Sequence, residues 1–217
     1  MLIDIHSHQV VASGNAIRVY NIEPEIDGTL KIPEFVDGNF LLSVGIHPWH
    51  ALEWKYRSMA LSEIYMDPRV ILLGEIGLDK ACQIPMDDQK SVFQFQAEIA
   101  AALKKPVILH VVRAMSELLE IKKNFAEVPS WIIHGFRGGR QQAEQYLVKG
   151  FYLSFGLNYN VEGLKACTPD RLFVETDESD CSLKDLYIKI AEEKRLTFED
   201  LESQVELNFR KVFPGII

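Results

Sequence analysis

Residues 69–110 read RVILLGEIGLDKACQIPMDDQKSVFQFQAEIAAALKKPVILH. The run Arg69 to Gly74 is apolar on both faces, and Pro106 to His110 is a second run of the same kind. Between them, Asp87 to Lys104 carries Phe93, Ala97, Ala100 and Ala101 at helical spacing. Strand, amphipathic helix and strand in that order predict a parallel crossover, with strands covered on both sides. Working outward, short β-branched runs recur at Met1 to Ile5, Ala16 to Ile22, Phe40 to Ile46, Trp131 to His134, Gly150 to Phe155 and Arg171 to Glu175, and Met115 to Phe125 adds another amphipathic stretch. Eight strands alternating with helices predict the α/β class and a (β/α)8 TIM barrel.

The barrel is expected to be trimmed. At 217 residues the chain is shorter than the roughly 250 typical of this fold. The stretch between Ile5 and Ala16 is shorter than a parallel crossover, which takes about a dozen residues or more, so at least one early helix is expected to be missing. The next connection, Glu23 to Asn39, carries Pro24, Gly28, Pro33 and Gly38, which predict loop or a short helical turn. The tail from Thr197 to Phe213, with Leu201, Val205, Phe209 and Val212 at helical spacing, is expected to close the barrel from outside. Neither a linker nor an internal repeat interrupts the chain, which predicts one domain over residues 1–217.

Composition narrows the function. An apolar fraction of 47% and a charged fraction of 25% are those of an ordinary globular chain. Apolar runs fall short of the roughly 18 residues that span a bilayer, and the start MLIDIHSH has no basic region, so a cytoplasmic protein without a membrane partner is expected. Twenty-three basic against 31 acidic side chains give a net charge of -8. That balance lacks the wide basic footprint of a protein that grips nucleic acid through many phosphates, so a phosphate-bearing substrate would be held locally. Cys82, Cys167 and Cys181 are odd in number and lack CxxC spacing, which points to small, partly buried hydrophobes.

The ionisable residues carry the chemistry. His6, His8, Glu75, His110, His134 and Asp177 each fall at the C-terminal end of an expected strand, where this barrel builds its active sites. Side chains alternate along a strand, so His6 and His8 share a face, with Asp4 behind them. One short strand can therefore offer one metal two imidazoles. HxH alone arises by chance, and a single histidine after PVIL or WII can be a hydrogen-bonded core residue. A carboxylate ending an apolar strand is costlier unless paired, solvated or bound to metal, and Glu75 and Asp177 are both so placed. Together the six predict a site for one or two divalent ions (Zn, Mn, Mg, Fe or Ni), with Glu75 as the bridge between two.

Several motifs resemble the TatD family, metal-dependent hydrolases of the amidohydrolase-like barrel group. They are Asp4-Ile-His6-Ser-His8, Gly45-Ile-His47-Pro48-Trp49, Gly74-Glu75-Ile-Gly77-Leu78-Asp79, Gln89 with Phe93 and Gln96, Pro106-Val-Ile-Leu-His110, His134-Gly-Phe136-Arg-Gly138, Glu175-Thr176-Asp177, and Asn208 with Phe213. The resemblance implies the (β/α)8 barrel, metal ligands at His6, His8, Glu75, His110, His134 and Asp177, and phosphodiester hydrolysis, DNase activity being the usual assignment. It also implies a substrate-facing role for His47. Two departures stand out. Where family members have His-x-Arg-Asp, this chain has His110-Val111-Val112-Arg113, with valine at the arginine position. After the ETD motif the family's Ala-Pro-Tyr-Leu and longer polar loop give way to Glu178-Ser179-Asp180-Cys181.

The chemical expectation is a metal-activated water shared with Glu75, which Asp177 orients and deprotonates, while an electrophilic oxygen is polarised opposite. His50 is expected at a helix start and Asp79 at a turn or behind the ligands. Arg137 and Arg140 are either phosphate contacts or solvated loop arginines. The expected substrate is a small or terminal phosphodiester, DNA included. Rival readings are a PHP-type phosphoesterase, disfavoured because no histidine follows His134, a carbon-ester or amide hydrolase, and a metal-binding barrel without catalysis.

Overall fold

The computed structural model describes residues 1–10, 14–33 and 40–217. Its strands are β1 (Leu2–Ser7), β2 (Ala16–Ile22), β3 (Phe40–Val44), β4 (Val70–Asp79), β5 (Val107–Val112), β6 (Trp131–Ile133), β7 (Tyr152–Phe155) and β8 (Leu172–Val174). They form one eight-stranded sheet in sequential order β1 to β8. Helices α1 (Trp54–Arg57) and α2 (Leu61–Ile64), interleaved with 3-10 turns at Pro48–Glu53 and Ser58–Ala60, precede β4. Then come α3 (Met86–Leu103), α4 (Met115–Lys122), α5 (Arg140–Val148), α6 (Val161–Ala166), a 3-10 turn at Pro169–Arg171, α7 (Leu183–Lys194) and α8 (Phe198–Val212). Strands in chain order, joined through helices from β3 onward, are the connectivity of the (β/α)8 barrel.

As expected, the described residues between β1 and β2 hold no helix, and 23–33 contain only a turn. Residues 11–13 of the first connection and 34–39 of the second, Gly38 and Asn39 among them, lie outside the described residues. Among the described residues no helix is long and apolar enough to cross a membrane.

The contacts divide the chain into two compact units, one mainly Met1–Tyr20 with Ile132–Ile217, the other mainly Leu41–Trp131 with residues 21–33. In the first unit, β1 and the segment after β8 are joined by a parallel bridge between Ser7 and Asp177. Helix α8 starts on Thr197, whose hydroxyl accepts from Asp200 N–H at 3.1 Å, and buries Leu201, Val205, Phe209 and Val212. Each such fully buried side chain is worth about 1.5–3 kcal/mol against exposure. Buried Asn208 on the same helix donates to Pro169 O and Leu172 O, both at 2.8 Å, which pins α8 to the start of β8. From α7, Tyr187 donates to Ile3 O at 2.7 Å and accepts from Ile3 N–H at 3.1 Å, locking β1.

In the second unit every residue of β4 is buried. The register between β4 and β5 shifts between Leu73 and Ile76, so Gly74 and Glu75 form an irregularity that re-aims the chain beside a functional side chain. The Gly74–Glu75 peptide is cis. At Gly77, φ is +145° and a Cβ would lie 2.0 Å from His110 O, so only glycine lets β4 lie this close to β5. The sequence expectation ended this strand at Gly74; instead it runs on to Asp79, because its glycines serve close approach and do not stop the strand. Glu75 and His110 consequently lie inside β4 and β5 and not at their ends. Helix α3 follows Pro85 with Asp87 and Asp88 in its first turn, favourable at the positive helix end, and stops at Lys104 in the left-handed conformation.

Candidate metal centre

In the first unit the backbone of Asp177 sits between two histidines. Its N–H donates to His6 O and its carbonyl accepts from His8 N–H, both at 3.0 Å. Its φ is +54°, a left-handed conformation that aspartate tolerates better than most residues. The carboxylate is thereby brought to both rings of the HxH motif: Oδ1 is 3.7 Å from His6 Nε2 and 3.7 Å from His8 Nε2. These distances exceed a hydrogen bond. They approach the spacing of two ligands on one ion, about 3.3 Å for tetrahedral bonds near 2.0 Å. His6 is fully buried, while Asp177 and His8 are half-buried.

Behind these groups lies a second layer of carboxylates. Asp4, on the same strand as His6, is wholly buried and receives Arg18 Nη1, Thr176 N–H at 2.9 Å and Thr176 Oγ1 at 2.8 Å. Burial pushes its carboxyl up to about 6 against the pull of Arg18 and Thr176. Glu175, also wholly buried, accepts from Gly135 N–H at 2.6 Å and stands 3.5 Å from His134 Nδ1. Burial would raise its pKa, but His134 and, more weakly, His6 hold it below the usual carboxylate range. His134, Glu175 and Asp177 bring ligand atoms within 4.8 Å of one another, as do His6, His8 and Asp177.

The second unit holds the other expected ligands. Glu75 Oε1 is 2.8 Å from His110 Nδ1 and 3.3 Å from His47 Nε2, and these three form a further ligand-capable group. His47 caps the 3-10 turn that follows it: its Nδ1 accepts from Trp49 N–H at 3.2 Å, so a neutral ring carries its proton on Nε2, toward Glu75. His47, not His50, is thus the residue at the helix start. Glu23 ties the segment down, accepting from His47 N–H at 2.9 Å and meeting His50 Nδ1 at 2.8 Å. Asp79 closes β4: Oδ2 accepts from Trp49 Nε1 at 2.7 Å and lies 3.2 Å from His110 Nε2. Burial works to raise the pKa of Asp79, but Trp49, the Ala81 N–H and His110 bring it below the ordinary value.

The donor set fits divalent ions. Each unit supplies imidazole nitrogens beside carboxylate oxygens, the mixed set that zinc, manganese, iron and nickel accept. His110 adds a specific argument, since a neutral ring carries one proton yet meets a carboxylate at each nitrogen. Either a second proton or a cation completes the arrangement.

Glu175, Asp4, Trp49 and Glu23 were not picked out as site residues by the sequence. Glu175 was signalled only by its place in Glu175-Thr176-Asp177. A cavity of about 260 Å³ opens beside Asp177, lined by Arg137, Asn158, Tyr159 and Ser179 among others. Arg140 instead pairs with Glu162 at 3.1 Å on the surface. Cys82, Cys167 and Cys181 are free, and burial pushes the Cys167 thiol up to about 12, leaving it an inert core group.

A family described as TatD related DNase matches residues 10–214. An uncharacterized metal-dependent hydrolase of Bacillus subtilis (strain 168), YabD, is 28% identical over 253 residues, spanning 98% of this chain and 99% of that protein. The 3'-5' ssDNA/RNA exonuclease TatD of Rahnella sp. (strain Y9602) is 31% identical over 152 residues, 62% of this chain and 56% of that protein. The crystal structure of the TatD homologue YjjV from Escherichia coli K12 superposes with a TM-score of 0.77 at 19% identity, covering 98% of this chain and 97% of that one. A TatD family hydrolase from Entamoeba histolytica gives 0.79 at 17% identity, with 98% of each chain covered. Both likenesses show the fold to be the barrel.

Proposed function

The chain belongs to the TatD related DNase family and is a metal-dependent hydrolase, and on that premise we propose that it cleaves phosphodiester bonds with His6, His8, His134 and Asp177 of the first unit and Glu75 and His110 of the second as its metal ligands. The observation that carries this reading is the convergence of His6 and His8 on one oxygen of Asp177, 3.7 Å from each. These side chains would hold one or two divalent ions, which when bound would supply a water nucleophilic near neutral pH and polarise the phosphoryl group. Asp177, half-buried and anchored through its backbone, orients the attacking water and takes its proton. Glu75, held between His47 and His110, would be a carboxylate ligand, and His47 faces the substrate. Arg137 in the cavity beside Asp177 offers a local cation for a phosphate.

The 3'-5' ssDNA/RNA exonuclease named among the relatives supports a nucleic-acid phosphodiester. The acidic balance favours small or terminal ones. Three free thiols support a reducing, cytoplasmic setting. The test is elemental analysis of the purified protein together with a screen of phosphodiesters, phosphomonoesters, lactones and amides. Metal that falls in His6→Ala and His134→Ala, with metal-dependent phosphodiester turnover, is the expected result. Turnover confined to lactones or amides would overturn the substrate assignment, and full metal retention in the double variant would overturn the site.

A further inference from the structure

Asp79 is bound more heavily than a turn residue needs. Its backbone N–H donates to Gln89 Oε1 at 2.7 Å and its carbonyl accepts from Gln89 Nε2 at 2.9 Å, so one buried glutamine of α3 grips both sides of the residue. Its carboxylate is held as well, Oδ1 by Ala81 N–H at 2.7 Å and Oδ2 by the Trp49 indole at 2.7 Å. The same Oδ2 meets His110 Nε2 at 3.2 Å. An indole N–H only donates, so Oδ2 is fixed as an acceptor. The carboxylate is itself 3% exposed as a residue and has nowhere else to turn.

From this geometry we propose that Asp79 is the positioning carboxylate of His110: it holds the ring through Nε2–H, leaving Nδ1 as the nitrogen presented beside Glu75 to a divalent ion, and Trp49 holds Asp79 in place. The inference rests on the reading of His110 as a metal ligand. The two carboxylates around the ring differ in kind. Glu75 Oε1 faces imidazole nitrogens from His47 and His110, the arrangement of a ligand, whereas both oxygens of Asp79 accept from fixed N–H donors. A carboxylate behind a ligating histidine selects its tautomer and raises its basicity, and losing such a partner costs about 10–100-fold in metal affinity.

Asp79→Ala tests this, because it takes away the acceptor at Nε2 and leaves Glu75, beside Nδ1, as the carboxylate that can draw the ring proton. Chelator-treated full-length protein is titrated with Co2+ alone, followed by its visible absorption, in wild type, Asp79→Ala, Trp49→Phe and His110→Ala. The expected result is a fall of about 10–100-fold in Co2+ affinity for Asp79→Ala, with a smaller fall in the same direction for Trp49→Phe. Histidine-ring 15N NMR should show the His110 proton on Nε2 in wild type and on Nδ1 in Asp79→Ala, a change that a purely structural role would not produce. If Asp79→Ala binds Co2+ like wild type while His110→Ala does not, the positioning role is overturned and the ligand reading stands. If His110→Ala binds like wild type, the ligand reading fails and the inference with it. Should Asp79→Ala not fold, Trp49→Phe decides, and wild-type Co2+ affinity there overturns the proposal.

Discussion

Gln96 closes both ends of its amide on Ile46: Oε1 accepts from Ile46 N–H at 2.7 Å and Nε2 donates to Ile46 O at 3.0 Å. Ile46 is the residue before His47. Seven residues earlier on the same helix, Gln89 holds Asp79 in the same manner. Helix α3 thus carries two buried amides that set the chain just ahead of His47 and at the end of β4.

Replacing Gln96 by leucine keeps the volume and removes both bonds, leaving a buried N–H and C=O of Ile46 without their partner. At about 1–3 kcal/mol for each group so stranded, Gln96→Leu is expected to lose roughly 2–6 kcal/mol in urea unfolding. A loss under about 1 kcal/mol would mean that water or a shifted backbone replaces the amide.

Much of this was legible in the sequence because the strands of a parallel sheet are apolar on both faces and therefore stand out as runs. The alternation of side chains correctly paired His6 with His8, and Asp177 does lie against both. The extension of β4 was hidden by Gly74 and Gly77, whose roles depend on the proximity of Ile108 and of His110 O respectively, which are tertiary facts. The partnership of Asp79 with Trp49 joins residues thirty positions apart and leaves no local periodicity. Arg140, which the sequence left as either a phosphate contact or a solvated arginine, pairs with Glu162 on a different helix, a partner that sequence spacing does not reveal. The short turns between His47 and Arg69 are too brief for a helical pattern to build up.

Asp177 is expected to matter to turnover more than to folding, because its backbone bonds to His6 and His8 survive a side-chain change. Asp177→Asn should keep the thermal transition and at least one metal while kcat falls by roughly 10² or more, the usual scale for a group that moves a proton. Steady-state kinetics with a small phosphodiester measures it, and an unchanged kcat removes Asp177 from proton transfer.

Glu117 provides a pH-dependent tie between α4 and the residue after β4. Lys80 Nζ meets its Oε1 at 2.7 Å, and this bond, with a smaller contribution from Ser116, brings the Glu117 pKa down to about 2. A carboxylate with a depressed folded-state pKa adds stability above its unfolded value, near 4.5, and loses that contribution as pH falls through about 2. Since both side chains are partly exposed, the tie is worth no more than about 1 kcal/mol. Glu117→Gln should therefore be slightly less stable than wild type at pH 7, and the difference should shrink between about pH 5 and pH 2. A difference independent of pH would assign the effect to packing.

The last prediction concerns the length of the substrate. Affinity for duplex DNA grows with the number of phosphates neutralised, and log K falls with log salt by about 0.9 for each. The net charge of -8 and the pairing of Arg140 with Glu162 disfavour a wide basic track for a long duplex. Arg137, beside Asp177, is placed in the cavity lining. Binding to a 20-base-pair duplex, measured by fluorescence anisotropy at low and moderate salt, should thus be weak, with a slope equivalent to only about one or two phosphates. Short or terminal phosphodiesters should be hydrolysed in preference to long duplexes. Tight duplex binding with a steep salt slope would contradict this and would indicate a basic track, Arg113 included, that the net charge conceals.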